Sequence, residues 1–307
     1  MLASVTVRAP AKVNLALGVG PLRPDGYHGL ATVFHAVGLY DDLVATGLPT
    51  GAGIQMCVEG EGAASVPLDS TNLAAKAALA LVPHGASPDV SLSISKGIPV
   101  AGGMAGGSAD AAAALVAIDA LFDLGISREG LLDIAATVGS DVPFALRGGT
   151  AVGSSRGERL TTALVRGTYH WVFALAENGL STPDVYRECD RLRAGRVVPE
   201  PQVPPELMAA LRAGDAVALG AALSNDLQGA AISLRPRLAQ VLSVGTEYGA
   251  LGGVVSGSGP TCAFLARDEE HALDLAVAFT ASGVCRTVKR AVGPVAGTRV
   301  VDQRVER

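Results

Sequence analysis

Between Pro99 and Asp110 the chain reads Pro-Val-Ala-Gly-Gly-Met-Ala-Gly-Gly-Ser-Ala-Asp, with four glycines in six positions, and runs straight into Ala111-Ala112-Ala113-Ala114-Leu115. Glycine has no Cβ, so this backbone can approach a ligand closely and turn its N–H groups toward it. Alanine is the strongest helix former, so the stretch predicts a loop emptying into a helix N-terminus. Free N–H groups and the positive end of the helix dipole make such a junction a ready anion site. Two well-known glycine patterns fail here. The pattern G-x-x-x-x-G-K-[ST] started at Gly102 puts Ser108 where lysine is needed, and G-x-G-x-x-G finds no register between 101 and 108. On this stretch alone a phosphate cradle and an ordinary tight loop capped by Ser108 or Asp110 both stay open.

The 307 residues leave room for two domains, or one large one, with real cores. Apolar residues make up 49% and charged ones 17%, as in soluble globular proteins, while 4% aromatics leave Val, Leu and Ala to fill the cores. A net charge of -5 exerts no global pull on nucleic acid or an anionic membrane, so an anionic ligand must be held by local groups. Cys57, Cys189, Cys262 and Cys285 form no C-x-x-C pair, and the chain does not open on a basic segment followed by a long apolar one. Reduced thiols in a cytoplasmic protein are expected. His28, His35, His84, His170 and His271 lack metal-ligand spacing, which argues against a zinc site. No apolar run reaches the roughly 18 residues of a membrane helix.

In chain order, residues 2–8 alternate like a strand that Ala9-Pro10-Ala11 interrupts, and a second apolar stretch carries Lys12 and Asn14. Lys12 there is either a surface lysine whose stem covers apolar neighbours or a placed cation. Asp25-Gly26 is a strong turn signal that displays Tyr27 and His28. Strands are predicted over 30–47, 54–58 and 90–96, and helices over 73–82, from the glycine loop to about Gly125, and over 128–138. Pro143 disfavours helix at Val142, so Asp141 is expected at or beyond a helix end. A carboxylate there opposes the negative dipole end unless something positive compensates. A domain boundary is placed near 155, dividing 1–155 from 156–295, with 296–307 as a partly ordered tail. The second half predicts strands at 169–175, 262–266 and 284–289. Its helices fall at 206–222, 234–247 and 269–281, with another start at Ser181-Thr182-Pro183 that presents Tyr186. Leu251 to Thr261 is a second glycine-rich loop. The class is α+β.

Three separated signatures stand together: Pro10-Ala11-Lys12-Val13-Asn14-Leu15, the loop Pro99–Ala109, and Ser256-Gly257-Ser258-Gly259-Pro260. The combination resembles the GHMP superfamily of galactokinase, homoserine, mevalonate and phosphomevalonate kinases. Pro24-Asp25-Gly26-Tyr27-His28, Thr71-Asn72-Leu73, Gly139-Ser140-Asp141-Val142-Pro143-Phe144 and Thr182-Pro183 narrow it to the branch that phosphorylates a cytidine-diphosphate-linked sugar alcohol. The resemblance covers about residues 8 to 295. It implies an S5-like N-terminal domain and a ferredoxin-like C-terminal domain with substrate in the cleft between them. The implied reaction moves the γ-phosphoryl of ATP, with Mg²⁺, to the 2-hydroxyl of the methylerythritol unit of a diphosphocytidyl substrate.

Carried over residue by residue, the resemblance makes Lys12 and Asp141 the catalytic pair, with Lys12 supplying the positive charge that Asp141 lacked. It assigns Pro99, Val100, Ala101, Gly102, Gly103, Met104, Ala105, Gly106, Gly107, Ser108 and Ala109, with Asn72 and Lys96, to ATP. It implies that cytosine lies between Tyr27 and Tyr186, with Asn14 and His28 hydrogen-bonding nearby and Thr182, Gly257 and Gly259 lining the substrate side. Ser108 is the candidate Mg²⁺ ligand. Ala101 and Ala105 stand where the family commonly has glycine, and a Cβ at each predicts ordinary backbone regions. Another small-molecule kinase of the superfamily, of homoserine or mevalonate type, and a non-catalytic binding protein on the same fold are the alternatives. No nucleic-acid or membrane partner is expected, and the chain is expected as a monomer or weak dimer.

Overall fold

The computed structural model describes residues 3–100 and 102–305, so the expectation for Ala101 falls outside the described residues. The first half contains β1 (Ala3–Leu22), β2 (His28–Gly47), β3 (Ile54–Gly60), α1 (Leu73–Ala80), β4 (Val90–Lys96) and α2 (Gly106–Leu121). It continues through α3 (Arg128–Val138), α4 (Val142–Arg147), β5 (Thr150–Ser155) and β6 (Arg159–Thr162). The second half begins with β7 (Tyr169–Leu175), α5 (Thr182–Leu192), α6 (Pro205–Ala213), α7 (Ala216–Ala221), β8 (Ser224–Asn225) and α8 (Gln228–Leu234). It ends with α9 (Arg237–Glu247), β9 (Gly252–Val255), β10 (Cys262–Ala266), α10 (Glu269–Ser282), β11 (Thr287–Gly293) and β12 (Arg299–Val305).

Two sheets organise these elements. The larger has the order β12-β1-β2-β4-β3, with β5 and β6 continuing from β2 and β8 beside β1. The smaller is antiparallel with the order β11-β7-β10-β9, so its first to fourth strands lie fourth-first-third-second, the ferredoxin-like arrangement. β1 belongs to both cores. Its Val5, Val7, Val13 and Leu15 pack under the first sheet, while Leu17 and Val19 pack with Phe264 and Phe279 of the second unit. The middle of β1, where Lys12 and Asn14 sit, is therefore held from both sides.

α2 is buried on nearly its whole circumference, from Ala109 through Ala114 to Ala117. A helix that is apolar all round must be covered all round, and alanine lets the neighbouring elements approach closely. Asn72 caps α1 by accepting from the Ala74 N–H, and Ser127 caps α3 through the Gly130 N–H. Both starts follow from the residue types alone.

Several expectations are corrected. β1 is not interrupted at Ala9-Pro10-Ala11: its register against β2 shifts between Pro10 and Ala11, and the strand continues. Pairing with β12 ends at Arg8, so the missing N–H of Pro10 breaks no ladder bond on that edge. The expected tail forms β12, paired with β1 from Ala3 to Arg8. Thr298 fastens its start, with N and Oγ1 both donating to the Ala145 carbonyl at 3.1 and 2.9 Å. Those ladder bonds come from the open edge of β1, which composition does not reveal. β6 hairpins onto β5, so the first sheet extends past the boundary expected near 155. Val142 is helical, against the expectation from Pro143, while Asp141 lies beyond the end of α3 as expected. It is the residue before α4, whose first turn holds Pro143. Proline opens that helix because the first-turn N–H groups are unpaired anyway.

Ala105 also departs from expectation. It is the residue before α2 and adopts φ 60, ψ 35, the left-handed region. The Cβ strains that conformation by about 1–2 kcal/mol, and the surrounding loop and helix outweigh it. Ala105→Gly is expected to raise the midpoint of thermal unfolding by about 1–2 °C, the strain relieved being partly offset by greater freedom of the unfolded chain. A lowered midpoint would contradict the strain.

Candidate active site

A cleft of about 1050 Å³ opens between the two glycine loops, the turn before β2 and the start of α5. Lys12 lies on its wall, 6% exposed, with Nζ donating to Asn14 Oδ1 at 2.6 Å. Residues two apart on a strand share a face, which is how Asn14 comes to hold the ammonium. Asn14 is oriented in turn by donating Nδ2 to Thr32 Oγ1 at 2.8 Å, and that hydroxyl donates to the Ala16 carbonyl at 2.7 Å. Asp141 Oδ2 stands 3.6 Å from Lys12 Nζ, its side chain 31% exposed to the cleft. Burial pushes the Lys12 ammonium below its ordinary pKa, and Asp141 pulls it part of the way back.

The glycine loop hangs on the same strand, since the Lys12 N–H donates to the Met104 carbonyl at 3.2 Å. Gly102, Gly103, Ala105, Gly106, Gly107 and Ser108 face the cleft together with Pro99 and Val100. The side chains of Met104 and Ala109 are fully buried in the core instead. The second glycine loop packs directly on the first. Ser256 Oγ donates to the Gly103 carbonyl at 3.0 Å, and a Cβ on Gly103 would run into the Ser256 carbonyl. Gly257, at φ +56, approaches so closely that a Cβ there would lie 3.2 Å from Lys12 Nζ. Asn225 holds this loop by donating to the carbonyls of Val255 and Gly257, both at 2.7 Å. Thr182 Oγ1 and Ser258 Oγ share a 2.8 Å hydrogen bond that ties α5 to it. Gly259 also lines the cleft.

Lys96 and Asn72 border the cleft but are committed within the protein. Lys96 Nζ donates to Asp41 Oδ2 at 2.5 Å and Asp110 Oδ2 at 2.7 Å, all three side chains being at most 3% exposed. Asp41 Oδ1 accepts from the N–H groups of Gly97 and Ile98, so this cluster fixes the entry to the glycine loop. Asn72 donates Nδ2 to the Pro67 carbonyl besides capping α1.

On the opposite side His28 and Tyr186 stack at 5.3 Å between ring centroids. His28 Nδ1 donates to the Gly20 carbonyl at 2.9 Å, and Nε2 lies 3.4 Å from Asp190 Oδ2. Burial pushes the Tyr186 phenol well above its ordinary pKa, and Asp141 adds to the shift. Tyr27 also lines the cleft and is 53% exposed. Sequence reasoning missed Thr32, Phe34, Arg156 and Asp190 on the cleft walls. Thr32 alternates with Phe34 on β2 and carries no motif, and Arg156 falls at the expected domain boundary near 155. Among the described residues, no group of three or more His, Cys, Asp or Glu could hold a metal, and no helix is long and apolar enough to cross a membrane.

An antiparallel ferredoxin-like unit joined to a larger sheet, with two glycine loops meeting over a lysine–carboxylate pair, is the architecture of a two-domain small-molecule kinase. The family model described as GHMP kinases N terminal domain matches residues 72–149, and the GHMP kinases C terminal model matches residues 207–285. The 4-diphosphocytidyl-2-C-methyl-D-erythritol kinase of Streptomyces avermitilis is 59% identical over 97% of this chain and 100% of the relative. That of Streptomyces coelicolor is 58% identical over 97% and 100%. A crystal structure of 4-(cytidine 5'-diphospho)-2C-methyl-D-erythritol kinase matches at 32% identity with a TM-score of 0.73, covering 94% of this chain and 98% of that one. The chain belongs to the GHMP kinases, and within them to the 4-diphosphocytidyl-2-C-methyl-D-erythritol kinase family.

Proposed function

We propose that this chain transfers the γ-phosphoryl of ATP to the 2-hydroxyl of 4-diphosphocytidyl-2-C-methyl-D-erythritol, a step of non-mevalonate isoprenoid precursor biosynthesis in the cytoplasm. The observation that carries the reading is the 3.6 Å Lys12–Asp141 pair, set between a glycine loop on one side and the Tyr27, His28 and Tyr186 rings on the other. Phosphoryl transfer asks a protein mainly for positioning and charge stabilisation. Lys12, fixed by Asn14, offers its charge to the transferring group. Asp141 accepts the proton of the attacking hydroxyl or orients it. The glycine loop and the N-terminus of α2 receive the nucleotide phosphates.

Mg²⁺ accompanies ATP and neutralises charge on its phosphates. Hard oxygen donors suit it, and the Ser108 hydroxyl is the residue we assign. Asp110 Oδ1, buried two residues on and without a hydrogen-bond partner, adds oxygen character to the same wall.

On the substrate side Tyr27 and Tyr186 are the stacking rings for cytosine. His28 Nδ1 is committed to the Gly20 carbonyl, which leaves Nε2 and the backbone of His28 to meet the base. Base–aromatic stacking is worth about 1–3 kcal/mol, so Tyr27→Ala is expected to raise KM for the diphosphocytidyl substrate at least about fivefold. An unchanged KM would remove Tyr27 from the site. The function itself is tested by a coupled ADP-release assay with diphosphocytidyl-methylerythritol, homoserine and mevalonate. ADP release is expected with the first, and a response only to one of the others would overturn the assignment.

A further inference from the structure

The Tyr27 ring is more than half exposed on a turn, yet it is not free, because the Arg156 guanidinium lies 3.9 Å from its centroid. Arg156 belongs to the β5–β6 turn, far away in the chain, and its own position is fixed. Its backbone N–H donates to Glu158 Oε2 at 2.8 Å, and its Nη2 reaches Asp25 Oδ2 at 3.1 Å. The same Asp25 oxygen takes Arg23 at 3.0 Å, and Asp25 Oδ1 accepts the Tyr27 N–H at 3.1 Å. The Tyr27 amide, followed by Arg156 and Arg23, holds the Asp25 carboxyl below its ordinary pKa, so it stays an anion at neutral pH. The ring and the turn that carries it are thus tied to a second turn by one guanidinium acting on both.

We propose that Arg156 is a positioning residue for base recognition: it covers one face of Tyr27 and pre-orders the ring, leaving the opposite face for a planar base. This inference rests on the functional reading above and concerns how its base site is built. An exposed aromatic side chain must lose rotational freedom when a ligand stacks on it. A cation already seated on one face removes part of that loss before the ligand arrives. Arg156 acts through Tyr27 and not on the reacting atoms, so its effect falls on binding.

The test measures kcat, KM and the affinity for free cytidine, which lacks phosphates, in the wild-type chain, Arg156→Gln, Tyr27→Ala and the double variant. Arg156→Gln is expected to raise KM for the diphosphocytidyl substrate about three- to tenfold, with kcat and KM for ATP unchanged. Cytidine affinity is expected to fall by the same factor, and the double variant to match Tyr27→Ala. Unchanged cytidine affinity beside a raised KM would mean that Arg156 touches the diphosphate, and would overturn the proposal. So would an unchanged or lowered KM, or additive losses in the double variant. Absence of wild-type turnover on this substrate overturns the functional reading together with the proposal, whereas normal wild-type turnover with an unaltered Arg156→Gln KM overturns the proposal alone.

Discussion

Asp141→Asn turns over the diphosphocytidyl substrate at least about a hundred times more slowly than the wild-type chain, the range expected when a positioned proton acceptor is removed. The amide keeps the shape of the carboxyl but neither accepts the hydroxyl proton nor balances the charge of Lys12 at 3.6 Å. The stability cost is limited because Lys12 retains its 2.6 Å hydrogen bond to Asn14 and Asp141 already faces the open cleft. Turnover by ADP release and thermal unfolding are measured together, with Asp141→Ala as the larger deletion. A folded variant of either kind with near-normal kcat would strip Asp141 of its catalytic role.

Gly103→Ala damages both the fold and the activity. The residue sits at φ +74, and its new Cβ would collide with the Ser256 carbonyl and lie 3.0 Å from the Gly259 N–H. Neither neighbour is a flexible side-chain end, so the two glycine loops must move apart. Backbone strain and overpacking each cost on the order of 1–3 kcal/mol. Separated loops also release Gly257 from Lys12 and Asn14, so kcat/KM is expected to drop at least about tenfold along with the unfolding midpoint. Gly47→Ala, at the end of β2 and outside the cleft lining, is the control: a Cβ there meets nothing within 4 Å. Wild-type stability and activity in Gly103→Ala would mean that the contact between the loops is dispensable.

The elements that carry the site are legible in the chain because their signals are local, while the roles of Lys12 and Asp141 come from the family resemblance. A glycine run before five residues of Ala-Ala-Ala-Ala-Leu declares a loop and a helix, Asn72 and Ser127 declare helix starts, and the alternation of Val90 to Lys96 declares a strand. Short-range sterics and side-chain-to-backbone hydrogen bonds decide each of these within a few residues. Thr32 and Arg156 escaped because nothing beside them in the sequence marks them. They matter through Asn14 and Tyr27, which only folding brings near.

What depends on distant partners was settled by packing. Residues 299–305 read as a polar tail until the edge of β1 offered them hydrogen bonds. Lys96 looked available to a nucleotide, but Asp41 and Asp110 enclose it from two other segments. The family resemblance pairs Asp141 with Lys12, but only the fold sets the two 3.6 Å apart and starts a new helix directly after Asp141. The left-handed Ala105 shows the same division within one residue: local sterics oppose that conformation, and the contacts of the loop and α2 impose it. Residue types and spacing specify the elements and the kinds of groups at hand, since those are short-range properties. Which charge faces which, and which loop rests on which, are long-range properties, and they exist only once the two sheets have closed on their cores.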